Sequence, residues 1–168
     1  MSSKTAPPLV EGPPLATLWS GAMGSGPLSP EAPGRPPRAR FTLPAHEALV
    51  GCLRRAARTV LSRWRLSDGT VDSALLIVGE LAANAAVHGR SEMSLHLVLA
   101  EGSLGILVGD HGDPAPSPAR AVDGDPDEHG RGLDIVHAQA ARVELHHDDH
   151  GTWILATLAV AASPARVG

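Results

Sequence analysis

Cysteine and aromatic residues are nearly missing from this chain of 168 residues. Its single cysteine, Cys52, excludes an internal disulfide, so a reducing, cytoplasmic setting is expected. Cys52 falls within an apolar helical pattern, which indicates a buried and inert thiol. With three Trp, one Phe and no Tyr, the interior must be filled mainly by Ala, Leu and Val.

The charge and the apolar pattern argue against three further classes of protein. A formal net charge of −4 disfavours nucleic acid as the main partner, because contacts to phosphates require a basic surface. No apolar run approaches the roughly 18 residues of a membrane span. The first residues lack the basic and then apolar pattern of a secretory signal. We therefore expect neither a membrane-spanning nor a secreted chain.

Proline and glycine divide the chain into a tail and a domain. Residues 1–39 hold nine of the fifteen prolines and five glycines, with apolar residues scattered singly. Such a composition cannot bury enough apolar surface to offset the entropy of folding. We expect a disordered tail over 1–39, one folded domain over 40–162 and a disordered C-terminus over 163–168.

Hydrophobic periodicity predicts an α/β (α+β) two-layer sandwich. Arg40–Leu43 reads as a strand, a helix follows from Ala45, and a second helix is capped by Asp68 and ended by Gly89. Two strands flank the turn Glu101-Gly102. Hairpin connections predict a mixed, mostly antiparallel sheet with its helices on one face. The remaining predictions are strands over 95–99, 104–110, 143–147 and 152–160, a loop over 111–130 and a helix over 133–141.

Three polar residues are spaced by four on the second helix. Side chains at this spacing are only about 40° out of line, so Glu80, Asn84 and His88 form one ridge. A carboxylate there is able to accept a proton from an attacking hydroxyl, and an amide oxygen is a suitable ligand for Mg²⁺. The alternative is an ordinary solvent-facing stripe, but alanine and other apolar residues surround the ridge on nearly every side.

Asp110 closes an apolar strand. Its carboxylate is suited to accept a hydrogen bond from an exocyclic amine such as that of adenine, and Gly112 allows a base to approach the backbone closely. The alternative is an Asx turn at the end of the strand.

Gly130, Arg131 and Gly132 precede the short helix. Glycines at a helix start expose N–H groups where the helix dipole favours phosphate, and the Arg131 guanidinium adds a charged donor. A lone Gly-x-Gly is weak evidence by itself. The sequence has no Gly-Lys-Ser/Thr of a P-loop, and no strand immediately precedes the glycines as a Rossmann motif requires.

Together, residues from about 40 to 160 resemble the Bergerat-fold, histidine-kinase-like ATP-binding domains. Within that superfamily they are most similar to the anti-sigma-factor serine/threonine kinases of Gram-positive bacteria. Glu80–His88 matches the N box of these kinases, Asp110–Gly112 their first glycine box, and Gly130–Leu133 their second. The Gly-Lys pair that often opens the last strand is here Gly151-Thr152.

The resemblance implies ATP and Mg²⁺ bound between helices and sheet, under a flexible lid over 113–129. It implies a phosphoryl acceptor that is an anti-anti-sigma protein, a sigma factor as the second partner, and a possible homodimer. Glu80 would be the general base, Asn84 the Mg²⁺ ligand and Asp110 the adenine acceptor. The full set of implied nucleotide contacts is Asn84, His88, Asp110, Gly112, Gly130, Arg131, Gly132 and Leu133.

Other interpretations stay open at this point. His146–His150 is rich in metal-ligating side chains, although its place in a hairpin favours a solvated turn. A non-catalytic module that sequesters a partner when ATP is bound is the main alternative to a kinase. An ATPase that drives a conformational cycle is less favoured, because 168 residues leave no room for a transducer domain.

Overall fold

The computed structural model describes residues 36–87, 90–114, 126–149 and 151–160. For Arg90, residues 112–114 and 126–130, and Asp148, it describes the backbone alone. Most of the predicted tail, the predicted C-terminus, His88, Gly89 and the central part of the predicted lid therefore lie outside the described residues.

Helix α1 (Val50–Arg63) follows a single 3₁₀ turn over Glu47–Leu49. Its buried residues recur every four positions, at Leu53, Ala57 and Leu61, as the apolar period predicts. Burying one such leucine side chain contributes roughly 2 kcal/mol. Cys52 is only half-buried, and the Arg55 guanidinium donates to its Sγ at 3.1 Å, so the expectation of a buried thiol is wrong.

Helix α2 (Asp68–Val87) begins as the sequence predicts, but its capping residue is different. The hydroxyl of Ser67 accepts the N–H of Thr70 at 3.2 Å, which makes Ser67 the N-cap. Asp68 is instead the first helical residue, where its negative charge suits the helix dipole.

Helix α2 is the central helix of the domain. By length and composition it is apolar enough to cross a membrane, which differs from the expectation that no segment would be. Half of its most apolar window is buried inside the protein, as for the core helix of a folded domain. Its buried residues are Val71, Ala74, Leu75, Ile77, Val78, Leu81, Ala82, Ala85 and Ala86.

The strands are β1 (Arg38–Pro44), β2 (Arg90–Ala100), β3 (Ser103–Pro114), β4 (Arg142–Asp148) and β5 (Gly151–Ala159). In the part of the chain that the structure describes, these five strands form one sheet in the order β1-β2-β3-β5-β4, and every neighbouring pair is antiparallel. The predicted antiparallel character is therefore confirmed. Gly102, with φ +71°, supplies the backbone conformation of the predicted turn between β2 and β3.

Strands β1 to β4 are longer than predicted, whereas β5 has the predicted length and begins one residue earlier. β1 begins at Arg38 and ends at Pro44, which an edge strand tolerates because its outer N–H groups need no partner. β3 continues beyond Asp110 to Pro114, because Arg90 at the start of β2 pairs with Pro114.

Helix α3 (Pro126–Gln139) begins seven residues before the predicted start at Leu133. Proline is favoured at the first helical position, where a missing N–H costs nothing. The predicted loop over 111–130 is thus wrong at both ends, because β3 occupies 111–114 and α3 occupies 126–130. The lid predicted over 113–129 overlaps the ends of both elements, and its flexibility stays a prediction.

The helices pack on one face of the sheet. Strand alternation directs one parity of side chains toward them, and residues of that parity join α1, α2 and α3 in a single core. This confirms the two-layer arrangement. The strand residues of the core include Met93, Leu95, Leu97, Leu104, Ile106, Val108, Ala156 and Leu158.

Candidate functional site

Asp110 is a buried carboxylate on the helix-facing side of the sheet. It is 3% exposed and lies between Met93 of β2 and Thr152 of β5. Its Oδ1 accepts the backbone N–H of Thr152 at 2.8 Å. The carboxylate is therefore tied to a neighbouring strand inside β3, and the predicted position at a strand end, with its Asx-turn alternative, is wrong.

The opposite face of the sheet supports the backbone around Asp110. Gly109 has no side chain because a Cβ there would overlap the ring of Trp153. The imidazole of His111 stacks on the same indole, with centroids 5.4 Å apart and planes at 9°. A ring nitrogen of His111 also hydrogen-bonds the Ser94 hydroxyl. These contacts hold β2, β3 and β5 together directly behind the carboxylate.

His96 lies beside this support and is uncharged at neutral pH. Burial, together with the nearby charges of Arg40 and His111, lowers its pKa from 6.5 to about 4. Its ring meets the Trp153 ring edge-on, with centroids 6.0 Å apart. The neutral imidazole of His96 thus adds no positive charge behind Asp110.

Thr152 joins Asp110 to the sheet edge. Its hydroxyl lies 2.8 Å from Nδ1 of His147, while its backbone N–H binds Asp110. Sequence reasoning missed this residue. Alternation along β5 from Ile154, which packs against the core, would have placed Thr152 on the same face.

Glu80 of α2 and Gly132 of α3 are brought into direct proximity. A Cβ added at Gly132 would lie 2.8 Å from Oε2 of Glu80. The same two helices are tied elsewhere by the Ser73 hydroxyl, which donates to Oε1 of Gln139 at 2.9 Å. The predicted base and one predicted phosphate contact are therefore neighbours in space.

The second predicted glycine box is placed differently from its expectation. Gly130, Arg131 and Gly132 lie inside α3 and do not precede it, so the prediction that these glycines open the helix is wrong. Arg131 is exposed. Leu133 packs against the core, and its contact with a nucleotide stays a prediction.

The remaining predicted residues lie on the elements that flank this site. Asn84 is half-buried one turn after Glu80 on α2, which packs on β2, β3 and β5. Gly112 belongs to β3, two residues after Asp110. His88 lies outside the described residues.

A separate cavity of about 440 Å³ opens at the other end of α2 and α3. It is lined by residues that include Gly69, Ser73 and Gln139. Ser73 precedes Asn84 by about three helical turns, roughly 16 Å. This cavity is therefore not the site that Asp110 and Asn84 define.

The histidine-rich hairpin does not form a metal centre in the part of the chain that the structure describes. His146 and His147 are neighbours on β4, so their side chains project to opposite faces. Among the described residues, no three His, Cys, Asp or Glu side chains come together to hold a metal ion.

The donor set fits a purine nucleotide with its metal. Asp110 offers a buried acceptor for an exocyclic amine, held in a fixed direction by Thr152. Asn84 offers an amide oxygen, a hard ligand of the type that Mg²⁺ takes. Glu80 adds a carboxylate on the same helix, one turn away.

The chain belongs to the family of histidine kinase-like ATPase domains, whose model matches residues 43–158. The resemblance predicted from the three motifs is thereby confirmed, and the family implies ATP as the nucleotide. No curated protein shows a significant match to this chain.

One similar solved structure contains the RsbU and RsbW domains of Rv1364c from Mycobacterium tuberculosis. It superposes with a TM-score of 0.59 at 19% sequence identity, over 76% of this chain and 33% of that chain. The protein thus spans a third of the length of that relative. At this identity the likeness shows the shared α+β fold.

Proposed function

We propose that this protein is an ATP-dependent serine/threonine kinase of the anti-sigma-factor type, acting in the cytoplasm. Its phosphoryl acceptor is an anti-anti-sigma protein and its other partner is a sigma factor, so that phosphorylation regulates transcription by partner switching. The fold shared with a structure that includes an RsbW domain supports this class. The observation that carries the proposal is the Glu80 carboxylate at the α2–α3 contact, because a module that only binds ATP needs no base.

The proposed roles follow the chemistry of each side chain. Asp110 accepts a hydrogen bond from the adenine amine, and its burial makes that contact discriminating because water cannot replace it. Asn84 would hold Mg²⁺, which neutralises phosphate charge when bound. Further nucleotide contacts are assigned to His88, Gly112, Gly130, Arg131, Gly132 and Leu133.

Glu80 is proposed to act as the general base. As the acceptor's hydroxyl oxygen bonds to the γ-phosphorus, its proton passes to the Glu80 carboxylate. The bond between the γ-phosphorus and the bridging oxygen breaks, and ADP leaves with that electron pair. The chain's part is to hold the base and the nucleotide in fixed relative positions.

The test compares Glu80→Gln with the wild-type chain. The acceptor is first captured from the native cell on the immobilised chain with ATP, and transfer of labelled phosphate to it is then timed. Loss of the base is expected to slow transfer by about 10²- to 10⁴-fold while ATP still binds. Glu101→Gln, in the exposed turn between β2 and β3, is the matched control and should transfer at the wild-type rate.

Equal rates in Glu80→Gln and wild type would remove the base assignment. A wild-type chain that binds ATP and retains its partner, but transfers no phosphate, would instead establish the alternative of an ATP-gated binding module.

A further inference from the structure

We propose that Gly132 is a positioning residue for Glu80, and that the backbone of α3 at this glycine fixes where the base carboxylate lies. As far as catalysis is concerned, this inference rests on the proposed kinase function. Its structural part concerns only the packing of two helices and is tested without nucleotide.

The contact is close and specific. A methyl group at position 132 would lie 2.8 Å from Oε2 of Glu80 and 3.9 Å from its Cβ and carboxyl carbon. Gly132 is itself buried, inside a helix, where alanine has the higher helix propensity. The missing side chain therefore leaves space that the Glu80 carboxylate uses.

A second contact between α2 and α3 fixes the position of Gly132 along Glu80's helix. Ser73 and Glu80 are seven residues apart on α2, and Gly132 and Gln139 are seven apart on α3. Ser73 meets Gln139 while Glu80 meets Gly132, so the helices run antiparallel with two contacts about 10.5 Å apart. Any shift of α3 along α2 would move the space beside Gly132 that the Glu80 carboxylate occupies.

The clash that a methyl group creates falls on the far end of a flexible side chain. The expected consequence of Gly132→Ala is therefore a displaced carboxylate and not an unfolded domain. If Gly132 served only as a phosphate contact, Gly132→Ala would leave the Glu80 carboxylate in place, because the backbone N–H of alanine still donates.

The first experiment is a thermal-unfolding cycle without nucleotide, with wild type, Gly132→Ala, Glu80→Ala and the double variant. Gly69→Ala is the matched control, because it lies in the first turn of α2 with no atom within 4 Å of the added methyl group. Gly69→Ala should raise Tm by about 2 °C through helix propensity. Gly132→Ala should raise Tm by a similar amount only when Glu80 is already alanine. Equal Tm changes in both Glu80 backgrounds would overturn the positioning role.

The second experiment measures phosphoryl transfer at saturating ATP to the captured acceptor protein. Gly132→Ala should lower kcat by about 10- to 100-fold, because the base is misplaced. Gly69→Ala should leave kcat unchanged. A wild-type kcat with only weaker ATP binding would also overturn the positioning role. If the wild-type chain transfers nothing, the proposed function fails while the unfolding cycle still decides the contact.

Discussion

Asn84, the proposed Mg²⁺ ligand, is expected to make nucleotide binding depend on the metal. It lies one turn after Glu80, half-buried on the helix that packs over β3. Asn84→Ala should remove the benefit that Mg²⁺ gives to ATP affinity, so that Kd values with Mg²⁺ and with EDTA converge. Asn84→Asp keeps an oxygen ligand and should keep the difference. Titration calorimetry under both conditions measures this, and an undiminished Mg²⁺ effect in Asn84→Ala would assign the metal to another residue.

His96 gives the domain a pH dependence of known sign. Its pKa is lowered to about 4 in the fold, whereas an unfolded histidine titrates near 6.5. Below pH 6.5 the unfolded chain binds a proton at His96 that the folded chain does not bind. The contribution of His96 to the free energy of unfolding is therefore fully present above pH 6.5 and decreases as the pH falls to about 4. The loss approaches about 3 kcal/mol. The groups facing His96 are Arg40, His111 and Trp153.

The measurement is the free energy of unfolding at pH 7.5 and at pH 5 for wild type and His96→Gln. The carboxylates titrate alike in both proteins, so the wild type should lose more stability than the variant as the pH falls. Equal losses would show that His96 binds its proton equally in both states.

At the scale of single residues, the sequence predicted which side chains share a helix face but not which residues meet across strands. Spacing by four predicted that Glu80 and Asn84 share one helix face, and both residues lie one turn apart on α2. It gave no means to see that Thr152 binds the carboxylate of Asp110, because that contact depends on strand register. Gly109 was a missed signal, since glycine inside a buried strand often marks a close approach, here of Trp153.

The start of α2 tests the assignment of the cap. Ser67→Ala should lower the free energy of unfolding by about 1 kcal/mol, because the N–H of Thr70 loses its acceptor. Asp68→Asn removes only a charge in the first turn and should cost about half as much. Chemical denaturation measures the free energy of unfolding of both variants. A larger loss for Asp68→Asn than for Ser67→Ala would identify Asp68 as the N-cap.

At the scale of elements, long periodic segments were predictable and irregular ends were not. The stripes of α1 and α2 and the hairpins of the sheet follow from periods that one sequence shows. The start of α3 could not be predicted in this way. Gly130 and Gly132 have low helix propensity, and tertiary contacts override that propensity in the fold. The contact between Glu80 and Gly132 is one such tertiary contact.

At the scale of the whole molecule, the proposed site draws on both layers of the fold. The sheet contributes a buried carboxylate at Asp110, and α2 contributes Glu80 and Asn84. Composition alone placed the folded domain after a Pro-rich segment, and the family model matches residues 43–158 within it. No pattern in one sequence identifies the acceptor protein, because a partner is recognised by surfaces that periodicity does not encode.

The proposed function depends above all on the hydrogen bond that Asp110 accepts from the amine of an adenine base. Titration calorimetry with ATP and then with GTP, each with Mg²⁺, tests it most directly, because guanine presents an acceptor oxygen where adenine presents its amine. ATP should give a measurable heat, and the affinity for GTP should be weaker by about 100-fold or more. No heat for ATP, or equal affinities for the two nucleotides, would contradict it.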